Sequence, residues 1–177
     1  EVLYPPVDLS TYEDRGDEGF YLHLGRLDEE KGVPAVVEAF AGSDHRLVLA
    51  GGRGDVDEAV MDRIRRADAI DYRGFVDEAE KYDLLATCRA LVFNGRDEDF
   101  GIVPIEANAS GKAVLTRDEG FPALFVDEGE NGYRHDGSVK GIREAVDRFE
   151  LAGIVGDPRD EVETFSVAAF ESELETS

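Results

Sequence analysis

The run Phe20-Tyr21-Leu22-His23-Leu24, the loop Gly25 to Gly32, the segment Val33-Pro34-Ala35-Val36-Val37-Glu38-Ala39-Phe40 and the run Arg46-Leu47-Val48-Leu49-Ala50 together decide the fold. The first and last pieces are short, apolar and bounded by turn residues, which is the pattern of buried strands. Between them Val33, Val36, Val37 and Phe40 recur at the i, i+3, i+4, i+7 spacing that gives a helix one apolar face. Pro34 stands near that helix's start, where a missing N–H is tolerated. Strand, helix, strand implies parallel pairing through a right-handed crossover.

Outward from this unit the alternation continues. Ile70–Tyr72, Ala90–Phe93 and Ala113–Thr116 read as further strands. Val56, Ala59, Val60, Ile64 and Ala67 form a second helical stripe. Val139, Ile142, Val146 and Phe149 form a late one, behind the start signal Asp136-Gly137-Ser138. The fold class predicted is α/β, a doubly wound, Rossmann-like parallel sheet. In such sheets ligands bind beyond the carboxyl ends of the strands, where the strand order reverses. The loops after strands are therefore where chemistry is expected. Ahead of the first strand, Tyr4-Pro5-Pro6-Val7 predicts a stiff, extended segment, and the polar stretch Asp8 to Glu18 shows no apolar face. This divides the chain into a leading segment, 1–18, and a domain, 19–177.

Composition sets the class of ligand. The chain has 177 residues with 19 Lys+Arg against 41 Asp+Glu, a net charge of −22. Such a surface repels nucleic-acid backbones and anionic lipid. The acids alternate with apolar residues, as in Asp55-Val56-Asp57-Glu58-Ala59-Val60, which predicts a folded domain with an acidic shell rather than a disordered tail. Few of the basic residues are lysines, and at molar salt the Debye length shrinks to ~3 Å, so the composition reads as adaptation to a salt-rich cytoplasm. The single cysteine, Cys88, is expected as a buried small hydrophobe in a reducing compartment. His23 is expected as a satisfied histidine of the core or its rim, and His45 and His135 on the solvent side.

Three loops carry the candidate chemistry. Gly25-Arg26-Leu27-Asp28-Glu29-Glu30-Lys31-Gly32 places two cations, Arg26 and Lys31, beside a helix start, where an anion such as a diphosphate would bind. Surface ion pairs to Asp28 and Glu29 explain the same residues equally well. Gly51-Gly52-Arg53-Gly54 permits close approach of a ligand but is a common kind of turn. The third stretch runs Glu98-Asp99-Phe100-Gly101-Ile102-Val103-Pro104-Ile105-Glu106. Gly101 and Pro104 predict a helix starting near Ile102, with free N–H groups at its start, Glu98 before it and Glu106 one turn in. Two carboxylates around a helix start suit the vicinal hydroxyls of a sugar or ribose. Glu pairs eight apart are expected roughly two or three times by chance in a chain this rich in Glu. Only Glu98/Glu106 brackets Phe100-Gly101 at a strand-to-helix junction.

Taken together, Gly25-Arg26-Leu27 with Lys31-Gly32, Gly74-Phe75-Val76, and Glu98-x-Phe100-Gly101 with Glu106-Ala107 and Gly111-Lys112 resemble the retaining glycosyltransferases of family 4, which have the two-domain GT-B fold. The resemblance covers essentially the whole chain, with 1–18 similar to the interdomain linker and Phe165–Leu174 to the terminal helix. It implies that Arg26 and Lys31 hold the donor diphosphate, that Glu98 contacts the donor hexose and that Glu106 contacts the nucleoside ribose. Arg26, Lys31 and Glu98 would be the catalytic set. Backbone at Gly25, Gly51, Gly52, Phe100, Gly101, Ile102 and Val103 would meet sugar and phosphate, and Val76 the base. Asn94-Gly95 departs from the family's frequent Pro-Ser, and Gly52-Arg53 varies its second glycine loop.

The resemblance further implies transfer of a hexose from a nucleotide diphosphate sugar with retention, using no metal, no other cofactor and no protein nucleophile. The stretch Glu98 to Pro104 is most similar to mannosyltransferases, which suggests GDP-mannose. An N-terminal acceptor-binding lobe would be missing from these residues. Location would be cytoplasmic, with membrane contact only through that lobe or a lipid-linked acceptor. Three other readings stay open: a GT-A enzyme using Asp97-Glu98-Asp99 as a metal site, a non-catalytic nucleotide-sugar-binding subunit, and a sugar-nucleotide epimerase of the same two-domain fold.

Overall fold

The computed structural model describes residues 6–96 and 102–176. Its centre is one sheet of β1 (Phe20–Leu24), β2 (Arg46–Ala50), β3 (Ile70–Gly74), β4 (Ala90–Phe93), β5 (Ala113–Arg117) and β6 (Gly132–His135). All neighbours are parallel and the order is β3-β2-β1-β4-β5-β6. The chain builds outward from β1 to β3, then returns to the other side of β1 with β4. The order thus reverses between β1 and β4, and the doubly wound α/β class predicted from the sequence is the fold observed.

Helices cover both faces because strand side chains alternate sides. Tyr21, Leu47, Leu49, Val92 and Leu115 face α1 (Val33–Ala41), α2 (Glu58–Arg66) and α6 (Val139–Ala152), whose Val36, Phe40, Met61, Ile64 and Ile142 are buried against them. Phe20, Leu22, Val48, Leu91 and Val114 face the other layer, where α3 (Glu78–Thr87) and α4 (Ile102–Ala109) supply Leu84, Leu85 and Ala107. Each fully buried aliphatic side chain stabilises the fold by about 1.5–3 kcal/mol. Caps set the helix starts: Asp57 accepts from the Val60 N–H at 3.0 Å, so α2 begins after Val56 rather than on it. Ser138 accepts from the Gly141 N–H at 2.9 Å at the start of α6, as its start signal predicts.

A smaller layer closes the sheet from the chain's two ends. α5 (Gly120–Phe125), α7 (Pro158–Val162) and α8 (Val167–Thr176) follow the later strands. The leading segment packs on the domain: the Val7 N–H donates to the Phe165 carbonyl at 2.9 Å, and Arg15 N–H to the Ala86 carbonyl at 2.8 Å. Val7, Ile105, Phe121 and Val162 form the apolar patch between these pieces.

Two expectations need correction. The sheet has a sixth strand, β6, that the sequence does not announce: Gly132-Tyr133-Arg134-His135 is neither an apolar run nor a clean alternation, and it is a strand because β5 offers it a free edge. His135 is not on the solvent side. It is buried, with Nε2 3.2 Å from the Phe93 carbonyl and Nδ1 accepting the Gly137 N–H at 3.1 Å. Cys88 is buried as expected, and burial pushes its thiol up to about 12.

Candidate functional site

The loops after β1, β2 and β3 meet at the carboxyl end of the sheet, beside the start of α4. The turns after β1 and β2 are joined by backbone. Gly25 N–H donates to the Ala50 carbonyl at 2.9 Å, and Leu27 N–H to the Gly52 carbonyl at 3.1 Å. Gly51 has φ +153°, and a Cβ there would run into the Gly25 carbonyl, so this position must be glycine for the turns to touch. Two carboxylates tie the loops further: Asp28 accepts from the Asp55 N–H at 3.0 Å, and Asp55 from the Glu29 N–H at 2.8 Å.

On this frame the Arg26 side chain is 70% exposed, with Nε 3.3 Å from Asp28 Oδ2. The Arg26 end of this pair is open to solvent, while Asp28 is 16% exposed and held by the Asp55 N–H, so Arg26 is free to turn to an incoming anion while Asp28 stays in the frame. Lys31 is half-buried just before Gly32, which caps α1 at φ +64°. Behind them lies His23, buried as expected but not satisfied: among the described residues neither ring nitrogen has a hydrogen-bond partner. Burial first, and the Lys31 cation in addition, push its imidazole down to about 4, so it is neutral at pH 7.

Asn94 follows β4 and braces this corner. Its amide donates to the Gly32 carbonyl at 3.0 Å and to the Gly137 carbonyl at 3.2 Å, and its buried Oδ1 has no partner among the described residues. Arg96 N–H donates to the Glu30 carbonyl at 3.1 Å. Asn94 and Arg96, just after β4, are thereby held against loop β1–α1. Glu98, Phe100 and Gly101 lie outside the described residues, as does the Asp97-Glu98-Asp99 cluster.

α4 starts at Ile102, as the sequence predicts. Ile102 is exposed and Val103 half-buried. Glu106 is 3% exposed, so the carboxylate expected to meet a ligand is sheltered rather than open. Its Oε2 accepts from the Tyr12 hydroxyl at 2.9 Å and lies 2.9 Å from Lys81 Nζ. Burial alone would push the Lys81 ammonium's pKa down, but the hydrogen bond and charge of Glu106 outweigh it and hold it above its ordinary value. Burial and the Glu106 charge hold the Tyr12 phenol above its ordinary value, so both partners are donors at neutral pH. Val76 is half-buried after β3, and the preceding Phe75 is 85% exposed.

The structure therefore gathers Gly25, Arg26, Lys31, Gly51, Gly52, Val76, Ile102, Val103 and Glu106 at one end of the sheet. Sequence reasoning misses Tyr12 and Lys81 and notes Asn94 only as a departure in pattern; all three brace that set. Lys81 carried one signal: it is one of few lysines in the chain. Tyr12 carried none, standing 94 residues from Glu106 in sequence. Among the described residues no group of three or more His, Cys, Asp or Glu is arranged to hold a metal ion, and no helix is long and apolar enough to cross a membrane. A cavity of about 290 Å³ lined by Phe40, Ser43, His45 and Arg143 lies at the far end of α1 and involves none of the site residues.

The family profile described as "Glycosyl transferases group 1" matches residues 10–164. The human alpha-1,3/1,6-mannosyltransferase ALG2 is 24% identical over 98% of this chain and 51% of its own length. The chain spans 51% of the length of one curated relative it matches and 39% of another, the Saccharomyces cerevisiae alpha-1,3/1,6-mannosyltransferase ALG2. Among solved structures, Anabaena HepE in complex with UDP superimposes with a TM-score of 0.87 at 20% identity, over 99% of this chain and 56% of that one. The C-terminal domain of a glycosyl transferase group 1 family protein (LpcC) from Francisella tularensis does so with 0.78 at 21%, covering 91% of this chain and 99% of that one.

Proposed function

The chain belongs to the group 1 glycosyl transferases, and from that premise we propose that it is the donor-binding half of a retaining hexosyltransferase, with an acceptor-binding lobe supplied from outside these residues. What supports this reading is that loop β1–α1, with Arg26 and Lys31, and the start of α4 both follow adjacent strands, β1 and β4, on either side of the reversal in strand order. There a diphosphate would find two cations, backbone N–H groups at the start of α4, and a ribose within reach of Glu106. The relatives named as mannosyltransferases favour GDP-mannose as the donor.

The residues then divide the work as follows. Arg26 and Lys31 stabilise the charge that grows on the departing diphosphate, which by analogy with oxyanion donors is worth about 10²–10³ in rate for each. Glu98 fixes the hexose so that the anomeric carbon faces the acceptor. Glu106 holds the ribose and Val76 borders the base, while the backbone of Gly25, Gly51, Gly52, Phe100, Gly101, Ile102 and Val103 shapes the sugar and phosphate seats. No protein nucleophile and no metal or other cofactor is assigned. A cytoplasmic location, or the cytoplasmic face of a membrane bearing a lipid-linked acceptor, belongs to the same proposal, as does retention.

A thermal-shift panel of GDP-mannose, UDP-glucose and the free nucleotides, followed by calorimetry, tests the donor. Loose binding with no transfer is the expected result for this chain, because an open half-site leaves its charges solvated and weak. Transfer, with the anomeric configuration read by NMR, is expected once the preceding lobe is present. Acceptor-dependent turnover by residues 1–177 alone would overturn the half-enzyme reading. Failure of a folded sample to bind any nucleotide or nucleotide sugar would overturn the site. A changed sugar formed without acceptor would identify an epimerase.

A further inference from the structure

Tyr12, Lys81 and Glu106 come from three separate parts of the fold. Tyr12 ends the short 3-10 turn Leu9–Thr11, Lys81 lies in the first turn of α3, and Glu106 lies in the second turn of α4. Among the described residues, both polar contacts that reach the Glu106 carboxylate end on the same oxygen, Oε2. A carboxylate has room for about four hydrogen bonds over its two oxygens, so two donors on one oxygen fix the plane of the group and leave the other oxygen to a further donor.

The two donors are themselves oriented. Glu78 lies 3.7 Å from Lys81 and accepts the Tyr82 hydroxyl at 2.7 Å. The Tyr82 ring packs edge-on to Tyr12 with centroids 5.4 Å apart, and Lys81 Nζ lies 5.2 Å from the Tyr82 ring centre. The Glu106 side chain is 4% exposed and that of Lys81 22%, so the contact is little screened by solvent.

We propose that Lys81 and Tyr12 are positioning residues that hold Glu106 with its second oxygen presented to the vicinal hydroxyls of the bound nucleotide's ribose. The inference rests on the reading of Glu106 as the ribose contact. It makes recognition of the ribose diol depend on two side chains that touch no ligand, one of them in the leading segment.

Calorimetry with GDP and UDP, and then with the 2′,3′-dideoxy form of whichever binds more tightly, tests this. The unaltered protein should prefer the diol ligand by about tenfold or more, the scale of one charge-assisted hydrogen bond. Lys81→Met and Tyr12→Phe should each cut that preference to about threefold or less while affinity for the dideoxy ligand stays put, and Lys81→Arg should restore most of it. Tyr12→Phe deletes one oxygen atom, so it keeps the test valid if Lys81→Met fails to fold. If the folded variants retain the full preference, or weaken both ligands equally, the positioning role is overturned while the ribose reading stands. If the unaltered protein shows no preference for the diol, the ribose reading of Glu106 fails and the inference falls with it.

Discussion

His135 shows how one side chain's protonation state is set by its neighbours. Its Nε2 faces the Phe93 carbonyl and its Nδ1 accepts the Gly137 N–H, a pair of contacts that only the neutral Nε2–H tautomer satisfies. Protonation would aim a second N–H at the Gly137 donor. Burial outweighs the backbone carbonyls that favour the charged ring and pushes the imidazole down to about 4. The folded value lies below the unfolded value of about 6.5, so the contribution to stability is complete above pH 6.5 and is lost as pH falls towards 4. Its size is roughly 3 kcal/mol. Nitrogen NMR should find His135 as the neutral Nε2–H form from pH 8 down to about 5, and a titration midpoint near 6.5 in the folded protein would contradict the structure.

At the scale of elements, a buried amide network bolts α4 to the β5–β6 edge. Asn131 donates to Asn108 Oδ1 at 2.9 Å and to the Phe125 carbonyl at 2.9 Å, and its own Oδ1 accepts the Asp127 N–H at 2.8 Å. Asn108 donates to the Lys112 carbonyl at 2.8 Å. Both residues are 0% exposed, and the network fixes the far end of the helix whose start borders the site. Removing either amide strands buried partners, at about 1–3 kcal/mol for each group left unsatisfied. Asn131→Ala is therefore expected to lower urea-unfolding stability by about 3 kcal/mol. The double variant with Asn108→Ala should cost less than the sum of the singles by about 1 kcal/mol or more, because the shared bond can be lost only once. Strict additivity in the unfolding series would show that the two amides do not act together.

Over the whole molecule the dominant fact is charge. With 41 acids against 19 basic side chains, one-to-one pairing would leave more than half of the carboxylates without a cation of their own. The arginine pairs the surface does make, such as Arg53–Glu58, Arg63–Glu38 and Arg148–Glu128, are exposed and contribute ~0–1 kcal/mol apiece. Self-repulsion is the larger effect in dilute buffer, and molar salt screens it to within ~3 Å. The melting temperature should rise markedly from dilute buffer to molar KCl. Equal melting temperatures in the two would refute the reading of the composition as salt adaptation.

Much of this was legible without coordinates, because periodicity is a local property. Apolar runs and i, i+3, i+4 stripes announced the first five strands, α1, α2 and α6, and their alternation required a parallel, doubly wound sheet. The helix start at Ile102 was legible too, since Gly101 and Pro104 act on their own backbone. β6 was not, because four mixed residues become a strand only when an open edge stands beside them. His135 followed the same course: polar neighbours in sequence suggested solvent, but β6 turns the ring inward beneath the Phe93 carbonyl. The sequence marked Glu106 as a candidate and could say nothing of its surroundings. Tertiary structure alone brought Tyr12 and Lys81 onto one oxygen of that carboxylate, from places 94 and 25 residues distant in the chain. Hydrogen bonds of this kind depend on where packed helices carry their side chains, and no short-range pattern encodes that.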